Sequence, residues 1–260
     1  MSHTDPAQLD EHVRAFDEGR AVVRVDARVV RVVGTDARRW LDDLITAGIG
    51  RLRAGEQTRS LLLSPTGRIR ADLHIVDEGA AFLLVQRRDQ PASIAELLER
   101  YVLSSDVGLD EVSGAEVALV AADPDPQVLV DAGTMHDVTG DAYEAWRIRR
   151  GAVSFPVDLD TDSTPAEGEL DRLVDTTKGC FLGQEAVAKI RNLGHPARIA
   201  IAVSAPPGTM PGDDVTADGR AVGIITSIAP DGDRPAAIAR VAWRARDLDL
   251  AVRTGPLASR

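Results

Sequence analysis

Lys178-Gly179-Cys180-Phe181-Leu182-Gly183-Gln184-Glu185 is the most informative stretch of the chain. It holds the only cysteine, two residues from one of only two lysines; the other is Lys189, and arginine supplies the remaining positive charge. A helix is expected from Gln184 to Asn192, stopped by Gly194 and Pro196, so Cys180 lies just ahead of a helix N-terminus. The helix dipole and a nearby ammonium both favour a thiolate. Gly179 and Gly183 permit close backbone approach, and Glu185 is spaced to pair with Lys189 one turn later. The competing reading is a small side chain packed under a loop, because free cysteine is among the most buried residue types.

Upstream, residues 21–33 are β-branched runs broken at Asp26-Ala27 and read as a hairpin. Thr35 or Asp36 caps a helix whose Trp40, Leu41, Leu44 and Ile45 form one apolar stripe. Residues 59–64, 69–76 and 80–86 read as strands, the first two joined by Pro65-Thr66-Gly67. A helix over 89–102 follows, then strands near 107–112, 116–121 and 127–130. Asp123-Pro124-Asp125-Pro126 reads as a surface turn, and Asp141 as the cap of a short helix ending at Gly151. Residues 156–172 form a long loop of the kind that carries function or disorder. Downstream of Ala197 only short apolar runs remain, IAIAV, RAVGIITSI, AAIARVAW and LAVRT, which predict a small β-barrel or sandwich. The chain therefore divides into a polar N-terminal extension (1–19), an α+β body (20–196) and a C-terminal β-barrel module (197–260).

Composition narrows the function. The 260 residues are 44% hydrophobic with 27% charged, ordinary for a globular protein. No run reaches the ~18–20 apolar residues of a membrane span, and the first twenty residues lack a signal-peptide core, so the expectation is a cytoplasmic protein without membrane contact. A net charge of −11 argues against direct nucleic-acid binding, with Arg147, Arg149 and Arg150 the nearest approach to a basic cluster. One cysteine excludes an intrachain disulfide and a Cys-based metal cage, and the five histidines show no ligand spacing, so no metal site is expected.

The octet 178–185 resembles the K-G-C-[FY]-x-G-Q-E signature of YgfZ-type folate-binding proteins, relatives of the glycine-cleavage T-protein, an aminomethyltransferase. Weaker similarities follow in the same order along the chain: Gly34–Leu41 to a G-x-D-x-x-x-F-L helix start, Gly67–Leu73 to a G-G-I-x-D-D-L strand, Thr164–Glu167 to P-x-E. Gly223–Ser227 and Ala237–Val241 are similar to segments of the C-terminal barrel. Departures from the T-protein pattern are specific. Cys180 stands where that family has Asp, Ala71-Asp72 replaces its acidic pair, and its G-Y-T-G-E segment is missing from 116–140.

The resemblance implies a three-lobed α+β fold around a central cavity, with tetrahydrofolate, or a one-carbon-substituted reduced folate, as ligand. It implies an accessory role toward iron–sulfur client enzymes, met transiently; the alternative is a folate-dependent aminomethyltransferase or other one-carbon transferase. Whether the chain is an enzyme stays open, with the accessory role favoured. A single cysteine cannot hold an iron–sulfur cluster unaided. Cys180 and Lys178 are the candidate reactive pair. Glu167 matches the carboxylate that meets the two-donor edge of a pterin, a charge-assisted contact, or is one more acid of an acidic loop. Asp72 either faces the folate cavity, where it would meet Glu167, or faces solvent. Arg147 and Arg198 either reach the folate glutamate tail or are exposed charges. Gln184, inside the signature, completes the candidate cofactor-binding set of Asp72, Glu167, Arg147 and Gln184.

Overall fold

The first chain reversal differs from the expected hairpin. β1 (Ala21–Val25) and β2 (Ala27–Val33) are separated by Asp26 alone, and one residue is too short for even a two-residue hairpin turn. The chain therefore runs on and enters two different sheets. β1 pairs antiparallel with β7 (Val117–Val120) and parallel with β9 (His136–Asp137). β2 pairs with β5 (Phe82–Arg87) and β6 (Gly108–Glu111).

The computed structural model describes residues 6–103, 105–229 and 236–253. Residues 1–5 of the expected extension, and 230–235 and 254–260 of the expected C-terminal module, lie outside them. Three sheets organise the described residues into a mixed α+β fold. β8 (Gln127–Val130) completes the four-stranded sheet, in the order β8-β7-β1-β9. β3 (Gln57–Leu63) and β4 (Ile69–Asp77) join the second, in the order β3-β4-β5-β2-β6.

That second sheet is buried on both faces. Val30, Leu62, Leu73 and Leu84 pack against α2 (Ala37–Asp42) and α3 (Ile94–Glu99), and removing one such enclosed leucine side chain costs ~2–5 kcal/mol. Val29, Leu61 and Val85 point the other way, into the central core. Strand alternation puts Asp72 and His74 of β4 on this central side, since Leu61 lies opposite Asp72 in the ladder. Both helices are shorter than expected. Pro91 delays α3 until Ser93, whose side chain and Glu96 form a reciprocal cap. α2 ends at Asp42, and Leu44 and Ile45 are buried from the turn beyond it.

The stretch read as a polar extension contains α1 (Pro6–Asp17), whose Leu9, Val13 and Phe16 are buried. It packs against α4 (Gly140–Arg149), where the Phe16 ring meets Trp146 edge-on at 5.0 Å. Thr139, rather than Asp141, caps α4 by accepting from the Ala142 amide. The long loop 156–172 is ordered internally: Asp158 and Ser163 are fully buried, and 3-10 turns form at Pro165–Gly168 and Leu170–Leu173.

α5 (Gln184–Leu193) follows the signature as expected. β10 (Arg198–Ser204), β11 (Asp214–Ala217), β12 (Arg220–Ile228), β13 (Ala236–Ala242) and β14 (Ala251–Arg253) then build the third sheet, in the order β10-β13-β12-β11-β14. The expected strands are present, but the sheet is open rather than a barrel: among the described residues β10 and the three-residue β14 are edges that do not pair with each other. Closure needs a continuous ladder between first and last strands, which β14 does not provide. Asp158 fastens this sheet to the body by accepting from Thr226 and Ser227, both at 2.6 Å, and from Arg147 at 2.8 Å.

Candidate functional site

On the central side of β4 lies a cavity of about 280 Å³. Its wall includes Arg59 from β3, Asp72 and His74 from β4, Asp125 from the loop before β8, and Tyr143 and Trp146 from α4. The volume is near the ~300 Å³ lower end for small-molecule sites, enough for a fused bicyclic ring. A second cavity of about 550 Å³ adjoins it, with Arg59, His74, Asp125 and Arg172 in both linings.

Arg59 organises this wall. Its Nε and Nη2 donate to the two oxygens of Asp72 at 2.9 and 2.5 Å, and Nη1 donates to Asp125 at 2.6 Å. Arg172 closes the chain by donating to both oxygens of Asp125. Burial works against the Arg59 charge, but Asp72 and Asp125 outweigh it and hold the guanidinium protonated. Burial likewise opposes the Asp125 charge, and Arg59 with Arg172 overcomes it and keeps the carboxyl below its usual range. The Asp123-Pro124-Asp125-Pro126 segment is therefore part of the cavity wall.

His74 has a different environment. Burial, followed by the Arg59 charge, pushes its pKa down to about 4, so the imidazole is neutral at physiological pH. Tyr143 is pushed up, chiefly by burial, and stays a phenol.

The sequence-derived residues do not converge on one place. Asp72 lines the cavity, but both its oxygens are committed to Arg59. Arg147 also lines it, yet is 2% exposed and internally satisfied. Its donors go to Glu144, Asp158, Ser227 and the Ala152 carbonyl, leaving none for a glutamate tail. Arg149 pairs with Asp10 and Arg150 with Asp17, so the basic cluster is spent within the fold. Arg198 is exposed at the start of β10.

Glu167 is buried beside the wall, to which its neighbours Gly168 and Glu169 contribute, but is not itself in the lining. Its Oε1 accepts from the Thr164 amide and hydroxyl at 3.1 and 3.3 Å, whereas Oε2 is buried with no hydrogen-bond partner. Gln184 accepts from the Phe181 amide at 3.3 Å and lines a separate pocket of about 200 Å³ beside α5.

The signature loop is a structural clasp. Gly183 caps α5 at φ +85°, where an added Cβ would stand 2.6 Å from the Ser64 carbonyl oxygen. Gly67, at φ +75°, is pressed in turn against the Cβ of Ala186. No side chain larger than hydrogen fits either position without moving the Ser64–Gly67 turn. Lys178 is correspondingly a fastener. Its Nζ donates to the carbonyls of Asp42, Ile45 and Ala47, the last two at 2.8 and 3.0 Å, binding the loop to the end of α2. Burial lowers its pKa despite the nearby Asp42 and Asp175 charges. With three donors on three carbonyls, Lys178 is occupied elsewhere than at the thiol. Cys180 is exposed and belongs to no cavity lining described above. The expected Glu185–Lys189 pair does not form.

Among the described residues no group of three or more His, Cys, Asp and Glu side chains could hold a metal, and no helix is long and apolar enough to cross a membrane.

The structure of the glycine-cleavage aminomethyltransferase T of Bartonella henselae superposes with a TM-score of 0.76, covering 98% of this chain and 87% of that one at 17% identity. The chain thus has the T-protein fold. In sequence it is 24% identical over 277 residues to a chloroplastic protein of Arabidopsis thaliana provisionally named a transferase. It is also 32% identical over 136 residues to the mitochondrial iron–sulfur cluster assembly factor IBA57 homolog of Mycosarcoma maydis. These alignments cover 84% and 49% of this chain, but only 64% and 31% of the two relatives. No protein-family model matches the chain.

Proposed function

We propose that this protein is a tetrahydrofolate-binding accessory factor of the YgfZ type, serving iron–sulfur cluster assembly or repair in client enzymes in the cytoplasm. The observation that carries the reading is the T-protein fold over nearly the whole chain, joined to similarity with an iron–sulfur assembly factor along 49% of it. The residues around the cavity fit a reduced folate. The void accommodates a pterin, and on its wall stands His74, whose ring makes no hydrogen bond to the described residues. Beside the wall, Glu167 Oε2 is a buried acceptor without a donor, although Glu167 does not itself line the cavity. Bound folate supplies a carrier of one-carbon units on its ring nitrogens.

Asp72 argues against aminomethyl transfer as the main activity. Both oxygens of this carboxylate are engaged by one guanidinium, which commits it to the cavity wall, and Ala71 removes the second acid of the T-protein pair. Cys180 suits the accessory role better, because an exposed thiol is available to a client or a transient metal. Complementation tests the reading. In cells lacking the protein, wild type restores the activity of iron–sulfur enzymes and Cys180→Ser does not, although the variant accumulates and melts normally. Full restoration by Cys180→Ser refutes a role for the thiol.

A further inference from the structure

The T-protein resemblance marks Asp72 and Glu167 on this side of the fold and is silent about the residue between the two cavities. His74 lies two positions beyond Asp72 on the same face of β4, in the wall of both cavities. Four charged side chains face it: Arg59 from β3, Asp72 from its own strand, Asp125 from the loop before β8, and Arg172 from the 3-10 turn at Leu170–Leu173. They neutralise one another as a line of ion pairs, Asp72–Arg59–Asp125–Arg172. Each of them is already bonded to another of the four, and Tyr143 beside them is a weak acid. His74 is the exception. Its ring is enclosed by protein but open to the voids, and neither nitrogen bonds to another described residue.

We propose that His74 is the polar contact that receives the ring of the cavity's ligand, a bicyclic, N–H-bearing lactam of the reduced-folate class. The inference rests on the folate reading and adds the residue that discriminates that ring within the site. A neutral imidazole offers one donor and one acceptor on opposite sides of a planar ring. A fused heterocycle carrying both N–H and lone-pair nitrogens can use either. Because the surrounding charges are already paired, the contact is made between neutral groups and gains its specificity from geometry. A ligand lacking a ring N–H or acceptor leaves the imidazole buried and unpaired, which a hydrogen-bonding site penalises.

Calorimetric titration of the full chain with tetrahydrofolate under reducing conditions tests this, using wild type, His74→Leu and His74→Gln, with nitrogen NMR of histidine-labelled wild type alongside. The expected result is binding by wild type and at least about a tenfold loss of affinity in His74→Leu. His74→Gln, which keeps a donor and an acceptor, stays within about threefold of wild type. The ring nitrogens of His74 shift on binding while those of His195 do not, a readout that stands even if a variant fails to fold. Wild-type binding with an unchanged His74→Leu, or with unmoved His74 nitrogens, overturns the proposal and leaves the folate reading intact. Absence of binding by wild type removes the folate reading and the proposal with it.

Discussion

Replacing Lys178 by Met separates the two roles open to the signature lysine, fastening the loop or activating the thiol. Methionine keeps most of the apolar stem and deletes the ammonium. The structure shows three Nζ–carbonyl hydrogen bonds on a side chain 5% exposed, with the Asp42 carboxylate 3.7 Å away. Hydrogen bonds to a charged group contribute ~1.5–3 kcal/mol each, and the cost of burying the ammonium offsets several kcal/mol of that sum. A net loss of about 2–4 kcal/mol remains, because the carbonyls of Ile45 and Ala47 belong to buried residues and recover water poorly. At roughly 2–4 °C per kcal/mol for a chain of this size, Lys178→Met should melt about 5–15 °C below wild type by circular dichroism. Cys180→Ser, at an exposed position, should stay within about 0.5 kcal/mol. Alkylation of Cys180 at neutral pH should proceed at nearly the same rate in wild type and Lys178→Met at a temperature where both are folded. A variant of unchanged stability whose thiol reacts much more slowly refutes the fastener account and restores Lys178 as the thiolate's partner.

Three further outcomes follow from the same geometry. Arg59→Met strands Asp72 and leaves Asp125 to Arg172 alone, and should cost about 3–5 kcal/mol in denaturant unfolding; a loss below 1 kcal/mol contradicts the wall's dependence on that arginine. Gly183→Ala places a Cβ against the Ser64 carbonyl at positive φ and should cost about 1–3 kcal/mol, read from the melting temperature. His74 also makes stability fall on acidification. Its folded pKa, about 4, lies below the unfolded value, 6.5, so between them the unfolded chain binds the extra proton. Its contribution is whole above pH 6.5, declines as pH falls toward 4, and amounts to roughly 3 kcal/mol at most. His74→Gln should flatten that part of the pH–stability curve, and an unaltered slope excludes His74 as its source.

Strand existence was largely legible because each strand carries its own period-two pattern and turn residues. β3, β4, β5 and the C-terminal strands lie within a few residues of where that pattern puts them. What the pattern lacks is partnership. Nothing local distinguishes β1 and β2 as members of two sheets except the single residue between them, and nothing in β14 announces that it leaves its sheet open. The acids of α1 hid a stripe of Leu9, Val13 and Phe16 that the helical period does contain. The candidate site was legible where one residue carries the signal, as with Asp72 on its strand face. Its remaining wall comes from pairings such as Arg59–Asp125 and Arg172–Asp125, 66 and 47 positions apart, for which a single sequence holds no trace. Lys178 misled for the opposite reason. Two residues from Cys180 in sequence, it reaches instead to carbonyls more than 130 positions away.

The most direct measurement of the central claim is a crystal structure of the protein with tetrahydrofolate bound. A pterin is expected in the cavity between β4 and the Asp123–Pro126 loop, with its ring against His74 and its tail leaving past Arg150 and Arg172. Crystals grown at saturating ligand that show an unchanged cavity, or the folate on another surface, would contradict it.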